Sequence, residues 1–332
     1  MSYDIILIDA NSIGYAAMYQ PNLARLTHDG QSTAALHGLP MSVFKLMKRF
    51  PEATPILLWD GKARWRYERY PEYKSDRKAD PEKVAIRDAY NVQVPYLRRL
   101  FFDLGLPQMG HPDTEADDLA GMITRRIVEN DDTLTILLST TDSDWVQSLH
   151  ERVHWFKTSD ETLTDLARLA TDDFKDGPFD TPEQYLAAKC LAGDTSDSIE
   201  GIPGIGLKTG AKFHREYGDF ETLWARADAG EKFKGTKLQS ILTPEARALY
   251  LRNREIMDWR QAPIPDDVSL SCPAPDMASA IEITEHFGLK RIQDAMRSTP
   301  MDRAAWRPVL WKIDQLIAEP ESTPVIRRRP AP

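Results

Sequence analysis

Three short apolar runs in the first half of the chain are each followed by an aspartate. The runs lie at residues 5–8, 56–59 and 134–138, and the aspartates after them are Asp9, Asp60 and Asp142. Each run is too short for a helix and rich in isoleucine and leucine, which is typical of a strand buried on both faces of a sheet. Such a chain is constrained to build its core around that sheet.

Helical patterns separate the apolar runs. Apolar residues recur at helical spacing in residues 41–49 and 115–129. This alternation predicts an α/β fold in which helices flank a parallel sheet. Because ligands of such sheets bind beyond the carboxyl ends of the strands, we expect Asp9, Asp60 and Asp142 to face one site.

Further acidic residues follow in closely spaced groups. They are Glu115, Asp117, Asp118, Asp144, Asp194 and Asp197. Asp144 follows Asp142 by two residues, which places both on one side of an extended segment. Asp197 follows Asp194 by three residues, on one face of a helical turn. Hard oxygen ligands select Mg²⁺ or Mn²⁺, and a pair of such ions would offset the repulsion between carboxylates. The alternative is that these residues are helix caps and surface acids.

The formal net charge of −9 argues against nucleic acid, but the charge is unevenly distributed. From Lys62 to Arg99, eleven basic residues stand against six acidic ones, a net charge of +5. Aromatic residues lie among them, a composition suited to phosphates and unstacked bases. The densest part contains Tyr73, Lys74, Arg77 and Lys78. A lysine and an arginine above a metal site could hold a phosphate and offset its developing charge. A solvated, charged helical face is the alternative.

A glycine-rich turn stands where the chain becomes helical, after about residue 180. It contains Gly201, Gly204, Gly206, Lys208 and Thr209, and residues 211–226 after it have a helical pattern. A helix that begins there would direct backbone N–H groups at a phosphate. The spacing resembles a helix–hairpin–helix, which holds duplex backbone without reading bases, and it lacks the four-residue spacer of a P-loop. An ordinary tight turn is the alternative.

Several classes of protein are not favoured. The two cysteines, Cys190 and Cys272, are far apart in sequence and lack zinc-ligand spacing, which suggests a reducing compartment. No histidine cluster indicates zinc, and no apolar run approaches the length of a membrane span.

In order and spacing, the motifs resemble those of the phage and bacterial 5′-nucleases, which are related to flap endonucleases and to the 5′-nuclease domain of bacterial DNA polymerase I. The matching segments are Asp9 after the first strand, Trp-Asp60-Gly, Tyr-Pro-Glu-Tyr73-Lys74-x-x-Arg77, Glu115-Ala-Asp117-Asp118, Ser-Thr-Thr-Asp142-Ser-Asp144-Trp, and Gly-Asp194-x-x-Asp197 with the glycine turn behind it. The resemblance covers roughly residues 4–260. One departure is Ser198, where the family often has asparagine.

The resemblance implies a PIN-like (Rossmann-like) sheet with a helical arch at about residues 62–95. It also implies a C-terminal helical subdomain of the helix–hairpin–helix type. We place the nuclease core in residues 1–180 and the DNA-clamping subdomain in residues 181–318. A helix–three-turn–helix module is expected at about residues 186–226, and a disordered tail at 319–332.

The resemblance also implies roles for single residues. Asp60, Glu115, Asp117, Asp142 and Asp144 would bind the metal ion at which water is activated, Asp194 and Asp197 would bind a second ion, and Asp9 and Asp118 would be shared or more distant ligands. Lys74 and Arg77 would contact the scissile phosphate. Tyr73, Lys78, Gly201, Gly204, Gly206, Lys208 and Thr209 would contact DNA.

The function implied is cleavage of 5′ flaps and 5′ ends of DNA with two Mg²⁺ or Mn²⁺, with K⁺ at the turn of the module. We expect a monomer without membrane attachment, in the cytoplasm of a bacterial or phage-infected cell, that meets replication proteins. One alternative is a nuclease for RNA primers in RNA–DNA hybrids. Another is a non-catalytic DNA-binding scaffold of the same fold, which would be expected to lack acidic ligands; none of the matching positions is lost.

Overall fold

The computed structural model describes residues 2–78, 80–174 and 177–318. The predicted tail at 319–332 and the side chain of Lys78 lie outside the described residues. None of the helices described is both long and apolar enough to cross a membrane.

A six-stranded sheet forms the centre of the first half of the chain. Its strands are β1 (Ile5–Asp9), β4 (Thr54–Trp59), β5 (Gln108–Gly110), β6 (Ile136–Thr140), β7 (Val153–Lys157) and β8 (Thr162–Thr164). A separate hairpin consists of β2 (Thr27–His28) and β3 (Gln31–Ser32). The large sheet has the order β5-β4-β1-β6-β7-β8, and only β7 and β8 pair antiparallel. The three predicted strands are confirmed as β1, β4 and β6, although β6 begins two residues later than its apolar run.

Helices cover both faces of this sheet and continue through the rest of the chain. They are α1 (Ala10–Ala17), α2 (Ala34–Arg49), α3 (Arg64–Arg69), α4 (Pro81–Asp103), α5 (Ala116–Asn130), α6 (Leu166–Leu169), α7 (Pro182–Ala192), α8 (Leu207–Tyr217), α9 (Phe220–Asp228), α10 (Thr236–Ile241), α11 (Pro244–Met257), α12 (Met277–His286), α13 (Lys290–Ser298) and α14 (Arg303–Ala318). Four 3₁₀ turns lie at Ser75–Lys78, Ser143–Ser148, Thr195–Asp197 and Trp259–Gln261. The predicted α/β class is confirmed.

The sheet is covered on both faces, which explains why its strands are apolar throughout. Ile5 to Ile8 of β1 are fully buried, as are Ile56 to Leu58 of β4. The register pairs Asp9 with Leu58, one residue before the end of β4. The carboxyl ends of β1, β4 and β6 therefore lie side by side, as the sequence pattern requires.

The segment expected to form an arch, residues 62–95, contains α3 and the first part of α4. Helix α4 begins at Pro81, where Asp80 caps it by accepting hydrogen bonds from the backbone of Glu82 and Lys83. It then continues past Pro95 to Asp103. Proline at the first helical position costs nothing because the N–H it lacks would be unpaired there. Pro95 lies on the exposed side of a helix whose opposite side packs on the core.

Helices α7 to α11 pack around a second core, separate from the sheet. Its large buried side chains include Phe220, Trp224 and Tyr250. The final helices do not join it. Ile292 of α13 and Trp306 of α14 belong to the core of the sheet instead.

The expected helical subdomain at 181–318 does not pack around one core, because its last three helices pack on the sheet. Helices α12 to α14 return to the sheet layers, where α12 contacts α4, α13 contacts α2 and α14 contacts α5. The predicted helical pattern at 211–226 is also broken, at Gly218, which has a positive φ angle and separates α8 from α9. Gly288, which also has a positive φ angle, separates α12 from α13 in the same way. The apolar stripes of these helices are visible in the sequence, but the core that each one covers is not.

Two glycines of the turn between α7 and α8 provide a matched stability test. A Cβ on Gly201 would lie 1.9 Å from the Ala192 carbonyl oxygen, whereas a Cβ on Gly206 would meet nothing within 4 Å. We expect Gly201→Ala to lower the free energy of unfolding by about 2 kcal/mol or more, because backbone must move. Gly206→Ala should cost less than about 1 kcal/mol, mainly through helix capping. Urea denaturation measures both, and equal losses would contradict this packing.

Candidate active site

Asp9 occupies the centre of the site, at the junction of β1 and α1. Its Oδ1 accepts a hydrogen bond from the Ser12 backbone N–H at 2.9 Å, which caps α1. Its Oδ2 accepts one from the Thr140 hydroxyl, at the end of β6, at 2.7 Å. The side chain is only 4% exposed. Asp9 is thus held from two neighbouring strand ends.

The other predicted acids of the nuclease core lie on the segments that follow the neighbouring strands. Asp60 follows β4, and its Oδ1 accepts from the backbone N–H of Ala116, the first residue of α5, at 2.9 Å. Asp117 accepts from the indole of Trp145 at 2.7 Å. Asp142 accepts from the backbone N–H of Asp144 at 2.9 Å. The structure therefore brings together the carboxyl ends of β1, β4 and β6 and the first turn of α5.

Proximity of these carboxylates changes their acidity. Burial, followed by repulsion from Asp60, raises the pKa of Asp9 to about 8. Burial also raises the pKa of Asp144, to about 7, and repulsion from Asp142 and Asp194 adds to it despite the nearby Lys189. Burial and repulsion from Asp142 raise the pKa of Asp117 as well. The site holds more negative charge than its own surroundings neutralise.

Arg66, in α3, is a site residue that the sequence analysis did not single out. Its guanidinium is buried and pairs with both oxygens of Asp118, at 2.8 and 2.5 Å, and with Glu115 at 3.0 Å. Its Nε also donates to the Ile256 carbonyl at 3.0 Å. Asp118 is completely buried, so the structure favours a supporting role for it over direct metal binding. Arg66 was counted only among eleven basic residues, and no local pattern marks it as buried.

The segment containing Tyr73 and Lys74 lies directly over the acids, as predicted. Lys74 donates to Glu115 Oε1 at 2.6 Å, and the Tyr73 hydroxyl donates to Glu115 Oε2 at 3.0 Å. Arg77 donates to Asp197 Oδ1 at 2.6 Å. Burial opposes ionisation of Glu115, but Lys74 and Arg66 lower its pKa to about 2.

Lys189 of α7 is the second site residue that the sequence analysis missed. Its ammonium group lies between Asp144, which it contacts closely, and Asp194 Oδ2, which is 2.8 Å away. Lys189 thereby lowers the pKa of Asp194 to about 2, although burial opposes this. A charged residue within the otherwise apolar stretch Leu186–Leu191 was the available signal.

The donor set fits divalent cations in its chemistry but not in its present arrangement. Among the described residues, no group of three or more His, Cys, Asp or Glu side chains is arranged to hold a metal ion. Lys74, Arg66 and Lys189 occupy the positions beside the acids instead. All the donors are carboxylates, the class that Mg²⁺ and Mn²⁺ prefer. Burial and repulsion between neighbouring carboxylates raise the pKa values of Asp9 and Asp144, and a bound cation would favour their ionised forms.

The predicted DNA-contacting turn lies between α7 and α8. Gly204 and Gly206 have open space beside them, and the side chain of Lys208 is exposed. Gly206 precedes α8 and provides no side-chain cap, and the amide of Thr209 bonds back to its carbonyl. Gly201 differs, because it is packed against the backbone of α7. Close packing therefore accounts for glycine at this position without a DNA contact.

The acidity of the site predicts how stability depends on pH in the absence of metal. The folded state binds protons at Asp9 and Asp144 more tightly than the unfolded state does, since both pKa values lie above the ordinary 3.8. Their contribution is therefore present at low pH and is lost as pH rises through 7 to 8. In EDTA we expect Tm to fall between about pH 5 and pH 8, where the folded state still holds these protons and the unfolded state has lost them, and Mg²⁺ to reduce that fall by replacing the protons.

Thermal denaturation across this pH range, with EDTA or Mg²⁺, measures the effect. Asp9→Asn should flatten the EDTA curve, because an amide does not titrate. A Tm that rises with pH in EDTA would contradict the predicted repulsion.

Comparison with known proteins identifies the two parts of the chain. Residues 4–174 match the 5′-3′ exonuclease N-terminal resolvase-like domain, and residues 180–276 match the 5′-3′ exonuclease C-terminal SAM fold. The 5′-3′ exonuclease of Mycoplasma pneumoniae is 28% identical over 294 residues, which cover 86% of this chain and 96% of that protein. DNA polymerase I of Bacillus caldotenax is 28% identical over 303 residues, which cover 90% of this chain. The chain spans only 33% of that polymerase.

A solved structure shares the fold. The bacteriophage T5 flap endonuclease, in a pseudo-enzyme–product complex with DNA and metal ions, superposes with a TM-score of 0.63 at 20% identity. The match covers 94% of this chain and 99% of the phage protein. Since the two matched domains together span most of the sequence, the chain belongs to the 5′-3′ exonuclease family.

Proposed function

We propose that this chain hydrolyses phosphodiester bonds at 5′ flaps and 5′ ends of DNA with two divalent metal ions, Mg²⁺ or Mn²⁺. The observation that supports this most is that acidic and basic side chains lie next to each other at the site. Lys74 pairs with Glu115 and Arg77 with Asp197, and both basic side chains act electrostatically on Asp60, at the end of β4. A phosphate between them would contact basic side chains on one side and metal-binding acids on the other.

The acids divide into two sets around the cationic side chains. Asp60, Glu115, Asp117, Asp142 and Asp144 would hold the cation that activates water, and Asp194 and Asp197 would hold the second. Lys189 lies between the two sets, because it pairs with both Asp144 and Asp194. Lys189 and Lys74 would give up these contacts when the cations bind. Bound divalent ions of this kind supply an activated water and stabilise a leaving oxygen.

Lys74 and Arg77 would hold the phosphate that is cut. Burial opposes the charge of Lys74, but Glu115 and Asp197 keep its pKa above the ordinary value, so it is cationic at neutral pH. In the absence of DNA both cations are paired with carboxylates. When DNA and metal ions bind, Lys74 and Arg77 would pair with the phosphate, and the carboxylates would pair with the metal ions. The two basic side chains would then lie where negative charge develops on the phosphate. The Tyr73 hydroxyl donates hydrogen bonds to Glu115 and Asp197, the two carboxylates that also face Lys74.

The turn before α8 would hold the duplex. Gly204 and Gly206 leave backbone accessible, and Lys208 and Thr209 lie in the first turn of the helix. Uncapped N–H groups and a lysine suit a phosphate backbone, and carbonyls of the turn could accept a K⁺ ion. Relatives that are DNA polymerases suggest a role in replication, as a monomer in the cytoplasm of a bacterial or phage-infected cell.

A cleavage assay tests the proposal. The protein is incubated with a duplex that has a labelled 5′ flap, in Mg²⁺ or in EDTA, beside the double variant Asp142→Asn/Asp144→Asn. We expect cleavage near the junction in Mg²⁺ only, and loss of at least about 100-fold in the variant, because charge for a cation is removed. Intact DNA in every lane, with DNA still bound, would favour the non-catalytic scaffold.

A second prediction concerns Lys74. We expect Lys74→Ala to lower turnover by about 100-fold or more while DNA binding changes little, because its charge is needed most in the transition state. Lys83→Ala is the matched control, since Lys83 is an exposed lysine of the same segment that pairs only weakly, with Asp80, at 3.9 Å. Single-turnover rates and Kd on one flap substrate measure both. Equal losses in turnover and binding would contradict this role.

A further inference from the structure

Tyr90, on the core-facing side of α4, presents a buried hydroxyl that no neighbour satisfies. The residue is 3% exposed, and within the part of the chain described its hydroxyl has no hydrogen-bond partner. Buried polar groups are nearly always paired, with protein or with ordered water. An unpaired hydroxyl beside a functional site therefore indicates a hydrogen-bond partner that is in place when the site is occupied.

The position of Tyr90 is fixed by packing. One turn further along α4, Gln93 accepts hydrogen bonds from the backbone of Ala35 and Leu36 at 3.0 and 3.1 Å, which fixes this part of α4 on the start of α2. The Tyr90 ring meets the edge of Tyr15, with centroids 5.7 Å apart. The hydroxyl therefore has little freedom to turn away.

Gly14 of α1 makes room for this hydroxyl. A Cβ on Gly14 would lie 3.0 Å from Tyr90 Cε2 and 3.1 Å from its oxygen, so any larger residue would crowd it. The first turn of the same helix forms part of the site, because Asn11 accepts a hydrogen bond from the Asp60 backbone N–H at 3.2 Å. The Tyr90 hydroxyl thus lies beside the helix that begins at Asp9.

The acidic site acts on this hydroxyl electrostatically. Burial, followed by the charges of Asp60 and then Asp9, raises the pKa of Tyr90, so it stays protonated and available as a donor. Asp60 is anchored at only one oxygen among the described hydrogen bonds, Oδ1, by the Ala116 amide. Its other oxygen can still accept.

We propose that the Tyr90 hydroxyl is a positioning group, which donates to the Asp60 carboxylate, directly or through one water, and holds it toward a bound cation. This role rests on the proposed function in one respect, that the acids bind divalent metal. A ligand held by a hydrogen bond from outside the site binds its metal more tightly, because less freedom is lost on binding. Tyr90 does not itself touch the reacting atoms.

Mn²⁺ titration of the full chain without DNA, by calorimetry, tests this role. We expect Tyr90→Phe to weaken Mn²⁺ binding about tenfold, because the ring and its packing remain and only the donor is lost. Tyr96→Phe is the matched control on the same helix, and its partly exposed hydroxyl should not matter. Thermal denaturation in EDTA checks that both variants remain folded.

Gly14→Ala provides an independent variant, because it displaces the hydroxyl without removing it. We expect it to weaken Mn²⁺ binding in the wild-type background and to have little further effect in Tyr90→Phe, since both changes act through one oxygen. A Tyr90→Phe protein that binds Mn²⁺ like the wild type overturns the role, as do additive losses in the double variant.

The flap-cleavage assay separates this inference from the proposed function. A wild-type protein that binds Mn²⁺ but cuts no flap contradicts the nuclease proposal, and the Mn²⁺ comparison still decides the role of Tyr90. A wild-type protein that binds no Mn²⁺ overturns the positioning role together with the metal site.

Discussion

Repulsion among carboxylates at the ends of parallel strands is the constraint on which the rest of this structure depends. A covered sheet brings the ends of β1, β4 and β6 together, and each of these ends is followed by an aspartate. Without compensation such a cluster would oppose folding, and burial together with repulsion from Asp60 raises the pKa of Asp9. Much of the architecture around the site consists of cationic side chains brought from elsewhere in the chain.

Those cations also connect the two cores of the molecule. Arg66 links α3 to the start of α5 and to the Ile256 carbonyl near the end of α11. Lys189 links α7 to the segment after β6. The acidic site is thus one of the places at which the helical core and the sheet are held together. Any cation that enters the site therefore changes contacts between both cores, which couples metal binding to the position of the helices that would hold duplex DNA.

The sequence pattern drew attention to the acids that follow the strands, and it missed their cationic partners, for a physical reason. Asp60 and Asp142 can be recognised in the sequence because each follows an apolar run that predicts a strand. Arg66 and Lys189 resemble any surface cation in sequence, since burial of a charge is decided by what packs around it. Gly201 was assigned to DNA contact, whereas the backbone of Ala192 alone requires glycine there. The final helices were assigned to the wrong core for the same reason, because an apolar stripe does not identify the surface that it covers.

The sequence by itself determined the strands, the helices between them, the acidic motifs and the family to which they belong, because these depend on local spacing and on residue type. Only the tertiary structure decided which cations neutralise which acids, that Asp118 is buried against Arg66, and that the Tyr90 hydroxyl is buried beside Gly14 without a partner among the described residues. Arg66 and Asp118 are 52 positions apart in the chain, and Lys189 and Asp144 are 45 positions apart. Such distances are closed by packing, and no local pattern records them.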